Sequence, residues 1–252
     1  MTRTDIRTLG QVLIISTDGA ASRQICQIMQ EHALSAEVSI DFSAALNRLH
    51  CRKFEAVVVD LSLGDGANAM QQLLASTPNR TAVTFALTTR NSIASALRHG
   101  FRFVLERPID PESIRHTLRV AYGQIVRERR RYFRYPVVVP VVLSRKASSE
   151  IYGRSVNISE GGLALSTSAT LETQSEGKVE FTLPAPPLQI TAEFRVCWSN
   201  EREAGLSFIF LPFEVASELQ AWLAQKLEEQ LPPTVAEKFR ETRRHVKANQ
   251  DA

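Results

Sequence analysis

Two different spacings of apolar residues divide the chain near residue 130. Before that point, apolar runs of strand length alternate with stretches in which apolar residues return every three or four positions. The runs are typical of strands buried on both faces, and the second spacing is typical of helices. Strands are predicted at QVLIIS, EAVVVDLSL, TAVTFALT and FRFVLERP, and helices at SRQICQIMQEHAL, NAMQQLLAS, NSIASALRHG and DPESIRHTLRVAYGQIVRERR. The last helix has Asp110 at its N-cap and Pro111 in its first turn. This alternation predicts an α/β domain, a doubly wound parallel sheet with helices on both faces.

After residue 134 the pattern is that of short strands separated by turn residues. The strand-like segments are PVVVPVVL, IYGRSVNI, GLALSTS, GKVEFTLP, LQITAEFRVCW and AGLSFIF. Such spacing predicts a small antiparallel β-barrel, followed by an amphipathic C-terminal helix, PFEVASELQAWLAQKLEEQL. We therefore predict a first domain at 8–125, an arginine-rich linker at 126–135, a barrel with its closing helix at 136–231, and a charged, helical tail at 232–252.

Composition narrows the class of protein. The chain has 44% hydrophobic and 23% charged residues, which is typical of a globular protein. No apolar run approaches the roughly 18 residues that would span a bilayer, and the start has no signal-peptide pattern. We expect a cytoplasmic protein without a membrane partner. The cysteines Cys26, Cys51 and Cys197 are scattered, which favours free thiols over a disulfide or zinc framework.

Arginine is concentrated where the two patterns meet. The chain has 24 Arg and 6 Lys, and five of the arginines lie in RERRRYFR at 127–134. Such a run suits a solvated helix end, because basic side chains are favourable beside the negative end of the helix dipole. It also suits an anion site. The net charge of +3 is too small to argue for nucleic acid, so the choice depends on what accompanies the arginines.

The first half resembles the receiver domain of two-component response regulators. The resemblance covers about 110 residues in order, with five strand–helix units and Asp60 at the end of the third strand. It implies a flavodoxin-like fold. Working receivers use an acidic pair after the first strand to hold magnesium, an aspartate that accepts a phosphoryl group, a hydroxyl residue, and a lysine before a proline.

This chain departs from that pattern at the metal site. Ser16 and Thr17 stand where the acidic pair is expected, and Arg107 stands in place of the lysine, although Thr88 keeps the hydroxyl position. Magnesium needs carboxylate oxygens. We therefore interpret the domain as a pseudo-receiver in which Asp60 is a vestigial phosphoacceptor, and its surface as a face for docking or dimerisation.

The arginines have a partner motif downstream. Arg129, Arg130 and Arg134 form R-R-x-x-x-R, and SVNISEGGLAL contains N-x-S-x-x-G, which begins 23 residues after Arg134. Together the two motifs resemble those of the PilZ domain, a barrel that binds cyclic di-GMP in bacteria. The resemblance runs from residue 127 to about residue 231. It implies a ligand site formed by the three arginines together with Asn157, Ser159, Gly161 and Gly162.

The residue types suit this ligand, which carries two phosphates and two guanines. Arginine binds phosphate oxygens through two parallel hydrogen bonds, and it also recognises the O6/N7 edge of guanine. Asn157 offers a carbonyl acceptor, Ser159 a hydroxyl group, and the glycines allow close approach of the backbone. The aromatic residues Trp198 and Trp222 are expected in the core.

The leading hypothesis is a non-catalytic cyclic di-GMP receptor. The barrel and the linker would bind the ligand and reorient the pseudo-receiver, which would signal to an unidentified protein partner; a homodimer is also considered. One alternative is a response regulator phosphorylated at Asp60, with the PilZ domain as its output. The other is a nucleic-acid binder that uses the arginine run. No enzyme and no bound metal are expected, because no nucleophile–base or metal-ligand pattern is present.

Overall fold

The chain forms two compact units. The computed structural model describes residues 8–64, 66–145, 150–237 and 240. Unit 1 comprises Met1–Arg129 together with Leu231–Ala252, and unit 2 comprises Arg130–Gln230. The chain therefore leaves unit 1 after residue 129 and returns to it at residue 231.

Unit 1 is a five-stranded parallel sheet with helices between the strands. Its elements are β1 (Gly10–Ile15), α1 (Gly19–Glu31), β2 (Leu34–Ser39), α2 (Phe42–Cys51), β3 (Ala56–Asp60), α3 (Gly66–Ala75), β4 (Val83–Thr89), α4 (Ile93–Arg98), β5 (Phe103–Arg107) and α5 (Pro111–Tyr132), whose last three residues belong to unit 2. The strand order is β2-β1-β3-β4-β5, with all neighbours parallel. This is the flavodoxin-like order.

Local sequence explains how these elements start and where they lie. All five residues of β3 are buried, as expected for the central strand of a covered parallel sheet. Aspartates begin three helices: the carboxylates of Asp18, Asp41 and Asp110 accept hydrogen bonds from backbone N–H groups of the first turn. The predicted N-cap at Asp110 is confirmed. In contrast, β2 and α2 come from a stretch for which the apolar pattern predicts no separate element.

Unit 2 is a closed antiparallel barrel with one helix. Its elements after α5 are β6 (Tyr135–Pro136), β7 (Pro140–Ser144), β8 (Ile151–Ser159), β9 (Gly162–Ser166), β10 (Glu176–Leu183), β11 (Leu188–Ser199), β12 (Glu203–Phe210) and α6 (Phe213–Gln230). The order is β6-β8-β7-β10-β11-β12-β9, and pairing of β8 with β9 closes a ring of six strands. The predicted fold class, a parallel α/β domain followed by a small barrel with a C-terminal helix, is confirmed.

The segment PVVVPVVL forms two strands rather than the single predicted one. The hydroxyl of buried Ser155 donates to the carbonyl of Val137 at 2.5 Å and accepts from the N–H of Val139 at 2.9 Å. The Ser155 side chain thus joins β8 to the residues between β6 and β7, where the regular ladder with β8 is interrupted. The register of β8 against β9 shifts at the same point, between Ser155 and Asn157, which is the behaviour of a β-bulge.

The two tryptophans have different environments, and one prediction was wrong. Trp222 on α6 is 3% exposed, and its indole N–H donates to the carbonyl of Pro184 at 3.1 Å. Trp198 is 45% exposed. Its indole lies against Gly205 on the neighbouring strand. The expectation that Trp198 lies in the core fails because the side chain packs on the outside of the barrel over a residue with no side chain.

The chain beyond α6 contributes to unit 1. Leu231, Val235 and Ala236 are buried, and residues 233–237 are helical. The predicted helical tail at 232–252 lies outside the described residues beyond 237, apart from residue 240. No helix in the described part of the chain is long and apolar enough to cross a membrane.

Candidate functional site

The first candidate is the carboxyl edge of the unit 1 sheet, where Asp60 ends β3. This side chain is 1% exposed. One carboxylate oxygen accepts from the hydroxyl of Ser16 at 2.6 Å and from the guanidinium of Arg107 at 2.7 Å. The other accepts from the hydroxyl of Ser62 at 2.7 Å and from its backbone N–H at 3.1 Å. Both oxygens are therefore saturated by groups of the chain itself.

Arg107 joins two carboxylates at this edge. Its guanidinium contacts Asp60 through one terminal nitrogen and Asp18 through the other. Burial acts to raise the pKa of Asp60, but the hydrogen bonds from Ser16 and Ser62 and the charge of Arg107 hold it below its usual value. The pKa of Asp18 is lowered by backbone hydrogen bonding at the start of α1 and by Arg107. Both groups are thus kept ionised beside an internal cation.

This geometry is unfavourable for phosphoryl transfer to Asp60. A nucleophilic oxygen has to be free, and a divalent cation has to neutralise the incoming charge. Thr88, which keeps the hydroxyl position, is 6% exposed at the end of β4. In the described part of the chain, no group of three or more His, Cys, Asp or Glu side chains is placed to hold a metal.

Four of the five arginines of the arginine-rich segment lie in the last turns of α5, and Arg134 lies between α5 and β6. Arg127 and Arg131 are exposed on one face of the helix. Between them, Glu128 is buried, with its carboxylate 3.1 Å from the ammonium of Lys53 and 2.8 Å from the hydroxyl of Thr81. The acidic residue of the arginine-rich segment is therefore held by polar contacts inside unit 1.

Arg129, the last residue of this stretch of unit 1, lies beside a buried carboxylate. Its guanidinium is 3.6 Å from Glu55, and the two side chains are 16% and 1% exposed. The other oxygen of Glu55 accepts the backbone N–H of Gln11 at 2.6 Å. Burial raises the pKa of Glu55, against the opposing effects of Arg129, the Gln11 hydrogen bond and Lys53. The sequence pattern does not point to Glu55, because a single acidic residue ahead of a strand is equally common on a solvent-exposed surface.

The barrel brings the two sequence motifs together. Tyr135 pairs with Ile158, and Pro136 pairs with Asn157, so that β6 runs alongside the strand that carries the second motif. Extending this register by one residue places Arg134, which is exposed, beside Ser159. Two segments 23 residues apart in the chain thus lie next to each other at one end of the barrel.

The side-chain carbonyl of Asn157, on the strand beside β6, is a hydrogen-bond acceptor without a partner among the described residues. Its oxygen is buried. A buried carbonyl oxygen is seldom left without a partner in a folded protein, because the loss of its hydrogen bonds to water is costly. The amide is therefore suited to accept from a ligand with N–H donors, such as the N1 and N2 groups of guanine.

The turn after Asn157 is built around its small residues. The hydroxyl of Ser159 donates to the carbonyl of Gly162 at 3.2 Å, so in this structure it stabilises the turn. A Cβ atom on Gly162 would lie 2.1 Å from the carbonyl oxygen of Leu206, whereas one on Gly161 would meet nothing within 4 Å. Gly162 is therefore required by packing between strands, and Gly161 presents open backbone.

The remaining motif arginine and its aromatic neighbours lie in unit 2. Arg130 is partly buried in the last turn of α5, and its carbonyl accepts the N–H of Phe133 at 3.1 Å. Phe133 is 6% exposed and packs against Tyr135, with ring centroids 6.3 Å apart. Tyr135 in turn makes an edge contact with the ring of Trp222 at 5.2 Å. These rings fix the segment between Arg130 and Arg134 by packing.

Comparison with known proteins identifies the barrel. The family profile of the PilZ domain matches residues 128–225. No match was found among curated proteins.

Several solved structures are similar to parts of this chain. The inhibitor of motility MotI/DgrA of Bacillus subtilis is 22% identical, with a TM-score of 0.35, over 38% of this chain and 50% of that one. This chain thus spans half the length of MotI/DgrA. The chemotaxis response regulator CheY4 of Vibrio cholerae is 18% identical, with a TM-score of 0.42, over 45% of this chain and 98% of that one. A CheY-like receiver domain of Methylobacillus flagellatus is 28% identical, with a TM-score of 0.41, over 45% and 98%.

The profile match begins inside α5 and ends within α6, so it takes in the three motif arginines, the whole barrel and most of the closing helix. The domain ahead of it has the strand order of the flavodoxin-like fold, to which receiver domains belong. The PilZ domain inferred from the two motifs is confirmed, and so is the flavodoxin-like fold of the domain ahead of it. This chain carries a PilZ domain at residues 128–225, preceded by a receiver-like domain.

Proposed function

We propose that this protein is a cytoplasmic, non-catalytic receptor for cyclic di-GMP. The ligand site consists of Arg130 and Arg134 on the segment that leads into the barrel, of Asn157, Ser159, Gly161 and Gly162 on the β8–β9 turn, and of Arg129 once ligand is bound. The observation that supports the proposal is the pairing of β6 with β8: Arg134 directly precedes β6, and β8 carries the buried, unpartnered side-chain carbonyl of Asn157.

Each group has a defined part in the proposed complex. The arginines bind the two phosphates and the O6/N7 edges of the guanines. Asn157 accepts from the N1 or N2 donors of one guanine. Gly161 lets the flat base approach the backbone, since no atom crowds the position of its missing Cβ. Ser159 and Gly162 hold the turn in shape.

The signal is proposed to pass through the position of the arginine segment. Ligand stabilises the arrangement in which the segment is clamped on the barrel, and it shifts the protein only as far as its affinities for the clamped and unclamped states differ. The receiver-like domain is the proposed contact for a protein partner or for a second copy of the chain. Because both oxygens of Asp60 are occupied, we expect no phosphoaspartate after treatment with a small phosphodonor.

Calorimetry on the full-length chain tests the proposal. We expect micromolar binding of cyclic di-GMP, roughly −8 kcal/mol, and much weaker binding of cyclic di-AMP and GTP. The double variant Arg130→Ala, Arg134→Ala should lose at least about 100-fold in affinity, since each charge-assisted hydrogen bond contributes ~1.5–3 kcal/mol.

The matched control is Arg127→Ala, Arg131→Ala. It removes the same charge from the same segment, but from the exposed face of α5. We expect close to wild-type affinity. An equal loss in both double variants would indicate general electrostatic attraction, and a wild-type chain that does not bind cyclic di-GMP would refute the proposed function.

A further inference from the structure

Arg129 is both a motif arginine and the ion-pair partner of a buried carboxylate. It is the first arginine of the R-R-x-x-x-R motif, and it precedes Arg130 directly in α5. Yet its guanidinium lies 3.6 Å from Glu55, with only 16% of the side chain exposed. Its Nε atom is buried and has no hydrogen-bond partner among the described residues. Arg129 is thus paired by charge but incompletely hydrogen-bonded.

Glu55 is fixed in place. Its second oxygen accepts a hydrogen bond from the N–H of Gln11 at 2.6 Å. The same oxygen packs closely against the start of β1, since a Cβ atom added to Gly10 would lie only 3.2 Å from it. The hydrogen bond to β1 therefore holds the carboxylate in its place when Arg129 turns away. Lys53, the other cation near Glu55, is in an ion pair with Glu128 at 3.1 Å.

From these contacts we infer that Glu55 and cyclic di-GMP compete for Arg129, so that Glu55 is the residue of the receiver-like domain that sets the ligand affinity of the PilZ domain. The inference rests on the proposed function. In the free protein Arg129 is in an ion pair with Glu55. In the complex it donates to a ligand phosphate, and Glu55 loses its closest cation.

Moving Arg129 from Glu55 to the ligand has an unfavourable contribution to the binding free energy. A buried carboxylate that loses its counter-ion is destabilised. The unpaired charge of Glu55 therefore offsets part of the binding free energy that the new contact between Arg129 and the phosphate contributes. Removing the charge of Glu55 removes this cost. The variant Glu55→Gln keeps an oxygen that accepts from Gln11, and its amide no longer attracts Arg129.

Glu55→Gln should therefore bind cyclic di-GMP more tightly than the wild-type chain, by about tenfold, which is within the usual range for coupled sites. Arg129→Ala should bind more weakly, and adding Glu55→Gln to that variant should produce no further gain. The control is Glu37→Gln, which removes an acidic partner of Arg48 and Arg52 in the same unit but touches no motif arginine. We expect it to bind as wild type.

Proton uptake provides a second measurement that a purely structural role would not affect. The pKa of Glu55 is already raised by burial, and the departure of Arg129 raises it further, while Lys53 remains bound to Glu128. Binding should then take up protons at a pH where Glu55 is partly ionised in the free protein. Calorimetry in buffers of different ionisation enthalpy would detect this uptake in the wild type and its loss in Glu55→Gln.

The outcomes are distinguishable. A wild-type chain with no affinity for cyclic di-GMP would overturn the proposed function, and this inference with it. Binding by the wild type with equal affinity in Glu55→Gln and no proton uptake would leave the proposed function intact. It would show that Arg129 only anchors α5, and the competition would be refuted.

Discussion

Replacing Arg107 with methionine measures how much this internal cation contributes to the stability of unit 1. The change keeps most of the aliphatic stem and removes the charge. Asp60, 1% exposed, would lose one charge-assisted hydrogen bond and its counter-ion, but it would keep the three hydrogen bonds from Ser16 and Ser62. A single bond to a charged group contributes ~1.5–3 kcal/mol. We expect unit 1 to lose about 2 kcal/mol of unfolding free energy, less than the 3–5 kcal/mol typical of breaking a fully buried pair.

The loss should depend on pH in a defined direction. The pKa of Asp60 lies below its ordinary value of 3.8 in the wild type, so its stabilising contribution is complete above that value and is lost as the pH falls through the folded-state pKa. Without Arg107 the pKa of Asp60 is higher. The difference in stability between wild type and variant should be largest near neutral pH and should shrink as the pH falls below about 4.

The positions of the tryptophans make the assay specific to each unit. Both tryptophans of the chain, Trp198 and Trp222, lie in unit 2, so fluorescence follows the barrel. Far-UV circular dichroism is dominated by α1–α5 and follows unit 1. In urea titrations, Arg107→Met should shift the dichroism transition and move the fluorescence transition far less.

Arg115→Met is the matched control for this experiment. Arg115 forms ion pairs with Glu31 and Glu112 on the surface of unit 1, where such pairs contribute little to stability. Equal destabilisation by both arginine replacements would refute the reasoning. So would a loss in Arg107→Met that stays constant across the acidic range.

Two further predictions concern single positions. Gly162→Ala should destabilise the barrel, because the new Cβ would lie 2.1 Å from the carbonyl oxygen of Leu206; Gly161→Ala should change stability by less than about 0.5 kcal/mol yet weaken cyclic di-GMP binding. Fluorescence-monitored unfolding and calorimetry separate the two effects, and equal destabilisation would contradict the packing difference. Asn79→Ala should cost unit 1 roughly 2–4 kcal/mol of unfolding free energy, because the buried amide of Asn79 accepts from the N–H of Phe54 and donates to the carbonyls of Leu49 and Arg52. A dichroism-monitored urea titration measures this loss, and a change below about 1 kcal/mol would contradict it.

Much of the fold followed from the sequence because the two halves use different apolar spacings. The central strands were identifiable since they are buried on both faces, as β3 shows. The edge strand β2 was not, because most of its residues are only partly buried and its apolar pattern is weak. The split of PVVVPVVL into β6 and β7 depends on the hydroxyl of Ser155, a contact across 16 to 18 residues that local pattern does not reveal.

The candidate site was predictable as a set of motif residues but not as a set of contacts. Spacing placed Arg134 and Asn157 in one motif pair, and the pairing of β6 with β8 brings these segments together. Spacing gave no indication that Arg129 lies beside Glu55, 74 positions earlier in the chain. A charge can be counted from the sequence, whereas its counter-ion is known only once the fold brings distant segments together.

The return of the chain to unit 1 at Leu231 bears on how such a protein can be rearranged by recombination. Unit 2 is an insertion within unit 1, since residues of unit 1 stand on both sides of it in the chain. A single exchange in the gene near codon 130 would separate unit 1 from Val235 and Ala236, which are 8% and 3% exposed. Domain shuffling that preserves both cores therefore needs two breakpoints, one on each side of the barrel and its helix.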